Sequence, residues 1–248
     1  MAGHNKWSKI KRKKGVADAR RSKLWARITR DMMIAAREGG GDPDMNPRLA
    51  LAVDKAKTEN MPKDNIERAI KRGTGEIAGA DYEEMSYEGY GPGGVAIFVE
   101  CLTDNTNRTV ADVRHAFSKY GGKLGTTGSV AYLFERKGEI EIDAAGQSED
   151  DLFLLVAEAG AEDLKQEDGS FVVTTPVEAF GSVHEAIESA GIEPKEAGLV
   201  RLPTTTTALG SDDAAKVMRL VEALEELQDV QEVYTTLELD DATIEALG

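Results

Sequence analysis

Cysteine occurs once in the 248 residues, at Cys101. That excludes an internal disulfide framework and a cysteine-based zinc site, and it suits a reducing compartment. Histidine is almost as scarce. His4, His115 and His184 stand far apart, and no H-x-x-x-H, C-x-x-C or G-x-S-x-G spacing occurs, so neither a metal site nor a nucleophile elbow is indicated. No apolar run approaches the roughly 20 residues that span a bilayer. The N-terminus is basic but lacks the apolar segment of a secretory signal. These absences lead us to expect a soluble, cytoplasmic protein with no catalytic residue, no metal and no cofactor. What remains is a globular composition, 41% hydrophobic and 30% charged, in a chain long enough for two or three domains.

The net charge of −15 conceals a division along the chain. Residues 1–76 carry 19 Lys and Arg against 10 Asp and Glu, a net of +9, whereas residues 77–248 carry 11 against 35, a net of −24. The first 30 residues hold 11 basic side chains and one acid, Asp18. A basic segment on an acidic body is the pattern of a nucleic-acid-binding arm. A polyanion senses the local patch, because charges beyond a Debye length of roughly 8–10 Å are screened. The acidic remainder either repels polynucleotide so that the arm is the main contact, or prevents non-specific coating, or meets a basic protein; the residues do not choose.

The hydrophobic pattern divides the same way. Gly3–Gly15 (GHNKWSKIKRKKG) has no period and reads as an extended arm that stays mobile until a partner neutralises it. Ala17, Leu24, Ile28, Met32 and Ala35 recur at helical spacing, and Gly39–Gly41 stop that helix. Arg21 falls on its apolar side and must snorkel, and Trp25 reads as core. Helices from Pro47 to Glu59 and from about Pro62 to Arg72 complete a small bundle. Beyond it, Val95–Thr103 reads as a strand, Asn107–Tyr120 as a helix and Gly128–Glu135 as a second strand. Glu139–Leu202 follows the order βαββαβ of the ferredoxin-like split. A last helix, Asp212–Gln228, and strand, Val230–Leu239, lack a partner of their own and are expected to return to the Val95–Glu135 layer. The fold class is therefore α+β: residues 1–76 form the basic arm and helical bundle, residues 77–136 with 208–248 form a discontinuous α+β domain, and residues 137–207 form a ferredoxin-like domain inserted into it.

The candidate nucleic-acid contacts are Lys6, Trp7, Lys9, Lys11, Arg12, Lys13, Lys14, Arg20, Arg21, Lys23, Arg27 and Arg30, with Lys63, Arg68, Lys71 and Arg72 extending the track. Lysine and arginine neutralise phosphates and release counterions. Trp7, among lysines, either stacks on a base or anchors the arm to the bundle. Gly89–Gly94 (GYGPGG) fits G-x-G-x-x-G formally, but it precedes a strand and carries Pro92, so it reads as a shaped turn rather than a dinucleotide site. Gly121–Ser129 lacks the ending of a P-loop and also reads as a turn, though Lys123 is a candidate phosphate contact.

Several long blocks resemble the YebC family of bacterial regulators: GHNKWSKIKRKKG, DARRSKLWARITRDMMIAAREGGGDP, NMPKDNIERAIKRGTGE, YEGYGPGGVAIFVECLTDNTNRTVADVRHAF and GGKLGTTGSVAYLF, spanning essentially residues 3–135. The resemblance implies three domains, a helical one and two α+β ones, without catalysis or cofactor. It implies a probable transcriptional regulator that binds DNA. Because a mitochondrial relative is a translational activator, and bacterial members are tied to ribosomes stalled on proline-rich sequence, it also implies ribosomal or transfer RNA, and the ribosome, as alternative partners. From the residues alone, an irregular Lys/Arg/Trp arm suits structured RNA. The rival from another class is a protein-interaction module built on the acidic domains.

Overall fold

Helix α1 (Ala17–Gly39) begins the part of the chain that the structure, a computed structural model, describes: residues 17–239, with side chains from Arg21 onward. Its apolar stripe, Ile28, Met32, Ala35 and Ala36, is buried against Leu49, Val53 and Ala56 of α2 (Pro47–Thr58) and Ile66 and Ala69 of α3 (Lys63–Gly73). The α1–α2 turn depends on one buried amide. Asn46 Nδ2 donates to Ala35 O (2.7 Å) and Gly40 O (2.8 Å), and its Oδ1 accepts from Leu49 N (3.1 Å). A single side chain thus satisfies backbone groups left over at two helix ends.

The first sheet has the order β3-β1-β2-β8 and is antiparallel throughout: β1 (Glu83–Tyr90), β2 (Ala96–Thr103), β3 (Lys123–Leu124) and β8 (Val230–Thr235). Helices α4 (Thr106–Lys119) and α7 (Ser211–Glu225) cover one face, where Ile97, Val99 and Cys101 meet Val113, Phe117, Val217, Leu220 and Leu224. The other face is covered as well: Ala96 and Phe98 pack on Val130, Phe134 and Tyr234. Burial on both faces explains why β2 reads as a nearly continuous apolar run, interrupted by Glu100, although its neighbours are antiparallel. Burial also pushes the Cys101 thiol up to about 12, with Asp229 and Glu100 adding to the effect, so it packs as a neutral apolar group.

Between β3 and β8 in sequence lies the second sheet. Its elements are β4 (Phe134–Asp143), α5 (Glu149–Glu158), β5 (Asp163–Glu167), β6 (Ser170–Thr175), α6 (Phe180–Ser189) and β7 (Glu196–Pro203). The order β5-β6-β4-β7, antiparallel at each step, is the ferredoxin-like arrangement expected from βαββαβ. The closing helix and strand return to the first sheet, where β8 pairs with β2.

Three elements differ from the expectation. The short strand β3 lies within Gly121–Ser129, which reads as a turn. Strand β1 is absent from the sequence reading because EEMSYEGY sets acids among its inward residues Met85 and Tyr87 and lies largely exposed. Gly128–Glu135 is not a strand before Phe134; residues 128–133 form a turn and a 3-10 helix. The cause is Glu88, which is buried (4% exposed). Its carboxylate accepts from Gly128 N (2.7 Å), Val130 N (2.7 Å) and Ala131 N (2.8 Å), so these amides bond a side chain instead of a sheet neighbour. Gly128 makes the turn at φ 85.

Burial alone would raise the Glu88 carboxyl, but the three amides and Arg201 outweigh it and hold the group below its ordinary range. Its contribution to stability is complete above the ordinary carboxyl pKa and is lost as pH falls through the lower folded value. Glu88→Gln keeps one acceptor oxygen and turns an amino group toward backbone donors. Urea unfolding of this variant at pH 7 should show a loss of about 2–4 kcal/mol; parental stability would mean that the carboxylate does not hold the loop.

Candidate nucleic-acid interface

Of the cations expected to contact nucleic acid, Lys6, Lys9, Lys11, Arg12, Lys13 and Lys14 lie outside the described residues, as do Trp7 and the side chain of Arg20. The others divide into two groups. Lys23, exposed, Arg27, half-buried, and Arg30, buried, reach the end of α7 and the turn that follows it. Lys23 Nζ forms an ion pair with the Glu226 carboxylate and donates to Glu226 O (3.1 Å). Arg27 donates to Glu225 O, and Arg30 donates to Gln228 O at 2.7 Å. Arg30 is 5% exposed. Its assignment as a phosphate contact is therefore corrected, and Arg27 is likewise occupied by a carbonyl.

The physical reason lies in α7, which has no basic residue in its last turn. The terminal carbonyls of a helix lack internal partners and carry the negative end of its dipole, so cations from another element are favoured there. The arc of basic residues on α1 is such a source. Periodicity places those residues correctly on one side of the helix, but it cannot tell a phosphate from a carbonyl.

The same turn is held from its other side. Asp229, buried, accepts from Arg108 (2.7 and 3.0 Å), from Thr109 Oγ1 (2.8 Å) and from Thr103 Oγ1 (3.3 Å). The Asp229 carboxylate, with Asp104, raises the Arg108 guanidinium above its ordinary value. The α7–β8 turn is thereby clamped between α1 and α4.

The second group of cations faces solvent. Arg68, Lys71 and Arg72 are exposed on α3 at positions i, i+3 and i+4, and hold no ion pair among the described residues. Arg21 is exposed, and Lys63 reaches only Glu67, at 3.7 Å. By contrast, Arg37 pairs with Asp81, and Arg48 pairs with Glu38 (2.6 Å) and Glu84. Trp25 is half-buried and donates Nε1 to Glu59 O (3.1 Å), as a core residue would. A cavity of about 310 Å³ lies where α1, the end of α3 and residues 77–82 meet, with Arg37, Arg72 and Asp81 on its wall. Among the described residues, no group of three His, Cys, Asp or Glu is placed to hold a metal, and no helix is long and apolar enough to cross a membrane.

Asp31, one turn from Arg27 on α1, accepts from Gln231 Nε2 at 3.1 Å in this junction. Leu51 of α2 packs on the core of the second sheet nearby, so all three structural units meet here. Burial pushes the Asp31 carboxyl up to about 6; Glu232 adds to this, while Lys55, Arg48 and Arg30 oppose it. A raised carboxyl pKa means that the folded state binds more protons than the unfolded one between about pH 4 and 6. The associated stability is complete below the unfolded pKa and is lost as pH rises through about 6. Asp31→Asn removes the desolvated charge and keeps the acceptor for Gln231. Thermal melts should show the variant more stable than the parent at pH 7.5, by about 1–2 kcal/mol, with the gap closing toward pH 4. A lower melting temperature at pH 7.5 would show that the charge is net favourable.

Comparison with known proteins gives a consistent result over nearly the whole chain. Residues 5–76 match the model of the TACO1/YebC protein N-terminal domain, and residues 82–237 match that of the TACO1/YebC second and third domain. A protein of Desulfosudis oleivorans is 50% identical over 99% of this chain and 100% of its own length; one of Nitrosospira multiformis is 53% identical over 97% and 100%. Both bear the name probable transcriptional regulatory protein. The crystal structure of a conserved hypothetical protein from Aquifex aeolicus, Aq1575, superposes with a TM-score of 0.83 at 45% identity, covering 90% of this chain and 93% of that one. The chain belongs to the TACO1/YebC family.

Proposed function

We propose that this protein is a non-enzymatic regulator of gene expression that grips nucleic acid by its sugar-phosphate backbone. The observation that carries the reading is the partition of charge: +9 in residues 1–76 and −24 in the rest. Lys6, Lys9, Lys11, Arg12, Lys13 and Lys14 supply most of the contacts. Arg20, Arg21 and Lys63 and the open face Arg68, Lys71 and Arg72 extend them. Lys23, Arg27 and Arg30 serve docking instead. Phosphate contacts position a protein without reading sequence.

The name shared by the relatives favours transcription and DNA. A second reading, a translation factor on ribosomal or transfer RNA, is supported by one feature of the bundle. A helix that reads the major groove needs a free face with base-reading side chains near its N-terminus. Helix α2 has Leu49, Val53 and Ala56 in the first core, Leu51 on the core of the second sheet, and Arg48 tied to Glu38 and Glu84. That leaves it little to offer a base edge. Crosslinking in growing cells, followed by sequencing of the attached polymer, separates the two: promoters for the first, ribosomal or transfer RNA for the second.

The common claim is tested by salt. Removing residues 1–14 deletes six cations, and the slope of log affinity against log salt should fall in magnitude by about 4–5. An unchanged slope would remove the arm from the interface.

A further inference from the structure

Tyr132 is 70% exposed, yet it lies in a tightly fixed stretch of chain. Val130 and Phe134 on either side are buried, the Val130 and Ala131 amides are held by Glu88, and Leu133 O accepts from Thr204 N at 2.9 Å. Packing therefore does not account for the ring, and its backbone is already ordered. Next to it, Tyr90 donates its hydroxyl to Ser129 O (2.9 Å), and Tyr132 is close enough to interact with that hydroxyl. Tyr90 pairs with Lys123 across β1 and β3, so the two side chains rise from the same face of the sheet. Both are exposed.

The surrounding charge is unusual for this half of the molecule. Residues 113–134 contain Arg114, Lys119 and Lys123 and no Asp or Glu, inside a segment, 77–248, that holds 35 acids. All three cations are exposed. Gly121, exposed at φ 78, keeps the main chain between Lys119 and Lys123 bare. Asp112 and Glu135 border this stretch, whereas Glu88 beneath it is buried and spent on backbone amides.

We infer that this edge of the first sheet is a second nucleic-acid contact, at which an unpaired base stacks on Tyr132 while Lys123 meets an adjoining phosphate. Exposed flat rings beside cations are the chemistry of single-strand binding, tolerant of sequence because every base has a π-face. A duplex hides those faces, so the site selects unpaired segments. The anchored backbone lowers the ordering cost of presenting the ring. This inference rests on the nucleic-acid reading above and adds to it a preference for single strands.

The test uses the full chain, a fluorescent 12-nucleotide single strand of mixed sequence, and the duplex of the same sequence. Tyr132→Ala should weaken single-strand binding about 5–100-fold, leave duplex binding within about twofold, and melt as the parent does. Tyr132→Trp should retain binding, and Lys123→Ala should reduce the single-strand salt slope. If the parent binds neither polymer, the nucleic-acid reading itself fails. If the parent binds both, but Tyr132→Ala changes neither affinity or weakens both equally, the inference fails while that reading stands. Loss of a protein partner on Tyr132→Ala with single-strand affinity unchanged assigns the ring to protein contact, and overturns it too.

Discussion

The carbonyls of Glu225 and Glu226 at the end of α7 accept from Arg27 and Lys23 of α1, and that of Gln228 in the following turn accepts from Arg30. Much of the architecture depends on that contact. It seats the helical unit on the first sheet, and it uses charge-assisted hydrogen bonds, roughly twice as strong as neutral ones, where an unpaired carbonyl would be costly. Arg108 holds the same turn from behind through Asp229. The turn from Glu225 to Gln231 is thus the point at which two units are tied, with cations on both sides and a buried carboxylate between them.

A second buried carboxylate sets the other end of the same sheet. Glu88 gathers the amides of residues 128, 130 and 131 and so decides where β4 begins. Both acids are satisfied by several protein donors, which is the condition for keeping a charge inside a protein. Their consequences differ: Asp229 fixes the docking of the basic helix, whereas Glu88 fixes a loop that presents a tyrosine. Asp31 is the contrasting case, a carboxyl at the junction with one hydrogen-bond donor among the described residues, whose ordinary charged form burial opposes.

The inserted ferredoxin-like unit was legible in the sequence because each of its elements announces itself. Strands such as Phe171–Thr175 are rich in β-branched residues, and helices such as Phe180–Ser189 carry a clean apolar face in Phe180, Val183 and Ile187. The bundle was legible for the same reason. What the sequence concealed was long-range. Nothing local marks Glu88 as the acceptor for amides some 40 residues away, and β1, exposed along much of its length, has too little apolar signal to read. The basic arc on α1 was visible, but its partner was not. A run of arginines looks alike whether it faces a phosphate or a helix end, and only the lack of a basic residue in the last turn of α7 hints at the answer.

The account stands on a division of labour among basic residues of the first unit, inner ones for docking and outer ones for the polyanion. Salt titration of the dissociation constant for two variants tests it most directly, each paired with a thermal melt. Replacing Arg68, Lys71 and Arg72 with alanine should shrink the salt slope by about 2–3 and leave the melting temperature unchanged. Replacing Arg27 and Arg30 with methionine should lower the melting temperature and leave the slope of the folded protein as it was. The reverse pattern, with the slope carried by Arg27 and Arg30, would contradict the account.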